Sequence, residues 1–167
     1  MQVQTQYEKA IKTKYPEQVV IAIARDDHGK ANPVTLGWTM IASGKPPMMA
    51  IAVAAKHYSI GCIRHSRSFT LVFPSAEMAE AALFFGSHSG RDVDKIASCE
   101  CKTQPAAEID SLLLSDAVAN FECTLESETQ AGDHIIFVGK VVTSHVNTEP
   151  KKRLYTTAPG HKLGPVS

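Results

Sequence analysis

Between Asn32 and Ser59 the chain reads NPVTLGWTMIASGKPPMMAIAVAAKHYS, and this stretch constrains the fold more than any other. Val34, Leu36, Trp38, Met40 and Ala42 alternate with Thr35, Gly37, Thr39 and Ile41, the period of two that predicts a half-buried strand. Ser43-Gly44-Lys45-Pro46-Pro47 interrupts it with turn chemistry, and Met48 to Ala54 is a second apolar run of strand length. Lys56, His57, Tyr58 and Ser59 follow. Ser59 is placed to cap a helix over Ile60 to Ser66, whose first N–H groups have no partner within the helix. Free amides beside a lysine and a histidine make a natural phosphate site, whereas Ser59 alone reads equally well as a plain helix cap.

Other segments supply compatible pieces. A short helix or extended arm over residues 1–18 ends at Tyr15-Pro16, because the residue before proline disfavours helix. Val19 to Ala24 is a compact apolar strand, and Arg25-Asp26-Asp27-His28-Gly29-Lys30 is a turn that makes it a hairpin with the Val34 strand. Ser68 to Phe73 is another strand, stopped by Pro74. Ser75 then reads as the cap of a helix over Ala76 to Phe85, ended by Gly86, with a further turn or two between Asp92 and Cys101. In Ala119 to Glu126 the residues Ala119, Phe121, Cys123 and Leu125 are expected to face in, and Asn120, Glu122, Thr124 and Glu126 out. The turn Gln130 to Asp133 joins this strand to another over His134 to Thr143, and a polar tail begins at Glu149. Six such strands with short helical insertions predict a mainly β chain, a small closed or nearly closed antiparallel barrel.

Composition narrows the function classes. With 17 basic and 17 acidic residues the chain is not a strongly basic nucleic-acid binder, and no apolar run approaches the roughly 20 residues that span a bilayer. The polar N-terminus lacks the apolar core of a secretory signal, so a single cytoplasmic domain over 1–167 is the expectation. Cys62, Cys99, Cys101 and Cys123 contain no C-x-x-C pair, and the seven histidines show no ligand pair at helical spacing, so no metal is expected. Cys99-Glu100-Cys101 is spaced poorly for a disulfide, which leaves reduced thiols as the simpler reading.

Several of these pieces, taken in order, resemble the flavin reductase-like FMN-binding proteins, including flavoredoxins. They are the G-x-x-N step from Gly29 to Asn32, Thr35 and Trp38, Ser43 ahead of Pro46-Pro47, and Tyr58-Ser59. Ser89-Gly90 leading to Asp94-Lys95, and Gly132-Asp133-His134 with Gly139, complete the set. The resemblance implies an FMN-binding split β-barrel of antiparallel Greek-key type, and a homodimer with the cofactor at the subunit interface.

It also implies residue roles. The FMN phosphate and ribityl chain are expected near Lys56, His57, Tyr58, Ser59 and Ser43. The ring is expected along backbone near Leu36, Gly37 and Trp38, with the hydroxyl of Thr35 or Thr39 on its polar edge and Gly37 permitting close approach. Ser89, Gly90 and Lys95 would contact the cofactor from the loop over it. His88 is a candidate contact for nicotinamide or acceptor, or equally a solvated side chain, and His134 is expected near the nicotinamide face. The implied activity is an NAD(P)H-dependent flavin oxidoreductase. An FMN electron carrier of flavoredoxin type, reduced by a protein partner, is the alternative, and a split barrel holding haem or nothing a third. Lys151-Lys152-Arg153 reads as a solvated basic run, and Tyr155 as a residue against ligand or a neighbouring subunit.

Overall fold

The computed structural model describes residues 1–166. An exposed arm carries α1 (Tyr7–Ala10), which continues as a tighter turn over Ile11–Lys14 before β1 (Glu17–Gln18). Then come β2 (Val20–Arg25), β3 (Ala31–Leu36), β4 (Thr39–Gly44) and β5 (Pro47–Ala54). Helix α2 (Ser59–Ser66) leads to β6 (Ser68–Phe73), and α3 (Ala79–Ser87) and α4 (Lys95–Ser98) follow. A small hairpin of β7 (Thr103–Pro105) and β8 (Leu112–Leu114) precedes the long hairpin of β9 (Ala119–Ala131) and β10 (His134–Val146). The chain ends in a hairpin of β11 (Tyr155–Ala158) and β12 (Lys162–Gly164).

The expected antiparallel barrel is the observed one. Seven strands run in the order β3-β2-β6-β9-β10-β5-β4, every pairing antiparallel. The two margins of this sheet, β3 and β4, are consecutive in sequence and separated only by Gly37 and Trp38. The strand expected from Val34 to Ala42 is therefore two strands on opposite margins, and the step between them closes the barrel. Ala52 N–H donates to Trp38 O at 2.9 Å, which extends the β4–β5 pairing into this step. The predicted inward set holds for Val34 but fails beyond the step: Met40 and Ala42 are exposed, and Ile41 is 75% exposed, because β4 is a margin with no layer over it.

Strand β2 explains why VVIAIA is apolar without alternation. Val20, Ala22 and Ala24 point into the barrel with Val34, Ile51, Phe69 and Phe137, under a lid of Ile60, Cys62 and Ile63 from α2. Val19, Ile21 and Ile23 point outward into a second core with Met78, Ala82 and Phe85 of the α3 region and Leu154. Both faces are covered, so the strand is a continuous hydrophobic run. Gly139 on β10 serves the inner core: a Cβ there would lie 2.6 Å from the Phe69 ring and 2.8 Å from Cys123 Cβ.

Four local expectations are corrected. The helix predicted from Ala76 starts as a tight turn over Ala76–Met78 and runs as α-helix to Ser87, with Gly86 inside its last turn. A Cβ on Gly86 would meet Thr35 Cβ at 3.4 Å, so the glycine lets α3 lie close on β3. Neither predicted serine cap forms a side-chain cap bond, and Ser75 Oγ is buried with no partner among the described residues. On β9, Asn120 and Glu122 are buried, not outward in solvent, because the segment holding the β7–β8 hairpin folds back over that face.

Glu122, 0% exposed, accepts the N–H groups of Ala107, Glu108 and Ile109 at 2.8, 2.7 and 3.1 Å and lies 2.7 Å from His145 Nε2. Burial raises its pKa, but these hydrogen bonds outweigh burial and hold it below the ordinary carboxylate value. The tail is the fourth correction. Its hairpin pairs with β1 through Glu17–Thr156 and Gln18–Tyr155. Lys151 reaches Glu77 at 2.6 Å, and the Arg153 guanidinium lies 3.6 Å from the Phe73 ring centre, so two residues of the basic run are engaged.

Gly139→Ala should destabilise the fold by about 1–3 kcal/mol in urea denaturation, since the inner core has no room for the methyl group. Glu122→Gln should cost about 1–3 kcal/mol at neutral pH. The stabilisation from Glu122 is fully present above the unfolded carboxyl pKa of about 4.3 and is lost as pH falls through the lower folded value. The gap between wild type and variant should therefore close in acid denaturation series below about pH 4.

Candidate functional site

Two neighbouring compartments open along the side of the barrel where α2 begins and α3 ends. The first, about 450 Å³, lies between the start of α2 and the loop after α3. It is lined by Lys56, His57, Tyr58 and Ser59 on one side and by His88, Ser89, Gly90 and Lys95 on the other, so eight of the residues expected to bind or meet a cofactor come together. The second, about 430 Å³, has Thr35, Leu36, Gly37 and Trp38 on its wall. His57, Gly86 and Ser87 belong to both, which makes the two one elongated cleft. Each falls in the size range of small-molecule sites.

The α2 end is built to meet an anion. The first helical bonds run from Ile60 N–H to His57 O at 3.2 Å and from Gly61 N–H to Tyr58 O at 3.1 Å, so the amides before them point out of the helix. Lys56 and Arg91 add exposed cations, and the Arg91 guanidinium lies 5.2 Å from the Tyr58 ring centre. Ser59 is buried and accepts a hydrogen bond from Asn32 Nδ2 at 2.9 Å instead of capping its own helix. Asn32 Oδ1 is buried on the cavity lining with no partner among the described residues. Gly90 packs directly against it: a Cβ there would lie 2.1 Å from Oδ1, so only glycine fits.

Several of these side chains hold one another in place. The Tyr58 hydroxyl donates to Asp26 Oδ2 at 3.0 Å, and burial together with Asp26 pushes the phenol up to about 12. Asp26 also accepts the N–H groups of His28 at 3.0 Å and Lys30 at 2.9 Å, which outweigh its burial and keep it below the usual carboxylate range. Lys30 in turn donates to Gly90 O. Lys95 Nζ donates to Pro33 O and Phe85 O, both at 2.8 Å, tying α4 to β3 and the end of α3. Burial lowers Lys95 to about 8, against the opposing pull of the Cys62 and Cys99 thiols. His57 is held below its ordinary value by burial first, then by Lys56, Lys95 and His134.

At the ring-sized end the outcome is mixed. Thr35 donates to Ala82 O at 2.5 Å and Thr39 to Ala50 O at 2.9 Å, so both hydroxyl protons are already used by the protein. Thr39 faces a third hollow, of about 530 Å³, on the far side of Trp38. What approaches Gly37 within this chain is the Glu17 carboxylate, 3.1–3.3 Å from a Cβ placed there. Trp38 is 49% exposed, not a core residue, and its ring packs against His134 with centroids 4.4 Å apart and planes inclined by 33°. His134 thus reaches the cleft wall through Trp38, with Nδ1 at 2.6 Å from Asp133 Oδ1.

Two expected residues stand apart. Ser43 lines neither compartment; it sits toward the far end of β4, and its Oγ accepts Lys45 N–H at 3.3 Å. His88 lines the first compartment but is engaged locally, stacked on Phe84 at 3.9 Å with Nδ1 near Ser87 Oγ and Phe84 O. Sequence reading missed Asp26, Lys30 and Arg91, as well as Lys14, Glu17, Thr156 and His161, which line the second compartment. The Arg25–Lys30 turn was legible, but its role in bracing Tyr58 and Gly90 depends on contacts distant in sequence.

Comparison with known proteins agrees with this architecture. The profile of the flavin reductase-like domain matches residues 12–161. An uncharacterized protein of Pyrococcus abyssi is 28% identical over 129 residues, 77% of this chain and 73% of its own length. Two further archaeal relatives are matched over 64% and 47% of their length, so the chain spans only part of some relatives. An NADH-dependent FMN reductase of Streptomyces nodosus is 24% identical over 84% of this chain and 74% of its own. The flavoredoxin of Methanosarcina acetivorans superimposes with a TM-score of 0.86 at 24% identity, over 100% of this chain and 92% of that one, a likeness of fold. No helix among the described residues is long and apolar enough to cross a membrane. By its sequence and its split-barrel fold, this chain belongs to the flavin reductase-like domain family.

Proposed function

We propose that the protein binds FMN and acts as an NAD(P)H-dependent flavin oxidoreductase, taking reducing equivalents from nicotinamide and passing them to an acceptor. The observation that carries this reading is the joined cleft: a cationic, amide-lined compartment opens at His57 into one walled by Trp38. FMN suits this division, with a dianionic tail at one end and a flat ring at the other. The residues present fit it. Lys56, Arg91 and the Tyr58 and Ser59 amides suit the phosphate, and the orphaned Asn32 Oδ1 offers an acceptor to a ribityl hydroxyl.

Bound FMN supplies the hydride chemistry, and the side chains position and tune it. Lys95 fixes the loop over the tail through its two carbonyl contacts and keeps a positive charge beside it. The Asp26–Tyr58 bond and the Lys30–Gly90 bond hold the two walls of that compartment at a set separation. Trp38, backed by His134, gives the ring end a flat surface, and His134 stands where a nicotinamide would approach. The open β4 margin with exposed Met40 and Ile41 is the face we assign to a second copy of the chain, making a homodimer.

An electron-carrier reading is favoured by one feature: the half-exposed Trp38–His134 pair leaves the ring end open to a partner protein. Anaerobic titration of the FMN-loaded protein with NADH or NADPH separates the two. The oxidoreductase bleaches the blue flavin absorption within the mixing time and with one equivalent of nicotinamide, whereas a carrier keeps its band until a protein reductant is added.

A pH series tests the tail compartment. An anion beside Lys95 raises that ammonium's pKa above its free value of about 8. FMN affinity should therefore be steady between about pH 7 and 8 and weaken as pH rises further, when the free lysine loses the proton that the complex retains. Fluorescence titration from about pH 7 to about pH 10 reads this, and Lys95→Met should flatten the profile.

A further inference from the structure

The ring-sized compartment contains an ion pair that the cofactor reading leaves unused. Lys14 Nζ and Glu17 Oε2 lie 2.6 Å apart, and both side chains are largely shielded from solvent. They line the hollows on both sides of Trp38. Lys14 Nζ is 6.0 Å from the Trp38 ring centre, and the Glu17 carboxylate rests over Gly37. Pairing of β1 with β11, Glu17 opposite Thr156, holds the carboxylate there. Four of the other polar groups near this wall are committed elsewhere: the Thr35 hydroxyl to Ala82 O, the Thr39 hydroxyl to Ala50 O, the Trp38 carbonyl to Ala52 N–H and the Thr39 carbonyl to Gln18 Nε2. Lys14 is the ion-pair partner of Glu17 among the described residues.

We infer that Lys14 and Glu17 recognise the imide edge of the cofactor ring and set which ring systems the cleft accepts. An ammonium next to a carboxylate presents a donor beside an acceptor. A cyclic imide presents the complement, a carbonyl oxygen beside an N–H, and the isoalloxazine ring has this arrangement along its pyrimidine edge. A carboxylate accepting that N–H forms a charge-assisted bond in a shielded site, and a ring that lacks the N–H leaves the carboxylate unpaired there. Glu17 is thus a specificity-determining binding residue contributed by the N-terminal arm, outside the barrel strands expected to carry the ring contacts. This inference rests on the FMN reading of the cleft.

The test compares FMN with FMN methylated at the imide nitrogen, using flavin-fluorescence quenching on the full chain. Wild type should bind FMN at least tenfold more tightly than the methylated ring. Glu17→Gln should weaken FMN about tenfold and reduce the preference between the two rings to less than about threefold, with an unchanged thermal midpoint. Lys14→Met, which keeps the carboxylate, should weaken both ligands by the same factor and preserve the preference; this variant carries the test should Glu17→Gln fail to fold. Equal weakening of both rings by Glu17→Gln, no weakening at all, or loss of the preference in Lys14→Met overturns the inference while leaving FMN binding intact. A wild-type chain that takes up no FMN at all overturns the cleft reading and this inference together.

Discussion

The closure of the sheet at Gly37 and Trp38 is the constraint on which the rest of this structure depends. Strands β3 and β4 occupy opposite margins of a seven-stranded order, yet only two residues separate them in the chain. The sheet must curl until those margins meet. Curling creates the interior that Phe69, Phe137, Ile51 and Val34 fill, and it places a backbone step, not a strand, at the seam. Such a step carries side chains that neither sheet margin covers. Trp38 is consequently half-exposed beside a cleft despite lying in what reads as a core-facing position.

Around that seam the cleft is assembled from parts that are distant in sequence. The start of α2 supplies outward amides, the loop after α3 supplies Ser89 and Gly90, and α4 supplies Lys95. What keeps them together is a set of short polar ties: Asn32 to Ser59, Tyr58 to Asp26, Lys30 to Gly90 and Lys95 to two carbonyls. Each tie joins a wall of the cleft to the β2–β3 hairpin or its turn. The hairpin therefore acts as the frame of the site, and burial of β2 on both faces makes that frame rigid. Lys14 and Glu17 then pack over the ring-sized compartment together with the β11–β12 hairpin, which pairs with β1.

Much of the fold was legible because short-range rules govern it. The β2–β3 and β9–β10 hairpins follow from a turn flanked by apolar runs, and Gly132, with φ of +61°, stands where the second of these turns requires it. The cluster Lys56 to Ser59 was legible as a polar opening to a helix, and Ser89, Gly90 and Lys95 through their resemblance to a known family. The misreadings have one origin. Glu122 in an alternating strand looks solvent-facing, and nothing local reveals that residues 107–109 will aim three amides at it. Ser59 and Ser75 look like caps, and each is instead buried by a neighbouring element. Ser43, matched to a family position, lies on β4 outside both compartments of its own chain.

The sequence by itself determined the strand class, the hairpin turns, the apolar faces and the cluster of cations and small polar residues that forms one end of the cleft. These depend on side-chain periodicity and backbone preference, which act over a few residues. The tertiary structure alone decided which margins meet, which hydroxyls are used up inside the protein, and that a carboxylate from the N-terminal arm stands over Gly37. Those outcomes depend on which groups share a space once water is removed, and a buried polar group takes whatever partner the packing brings to it, however distant in the chain.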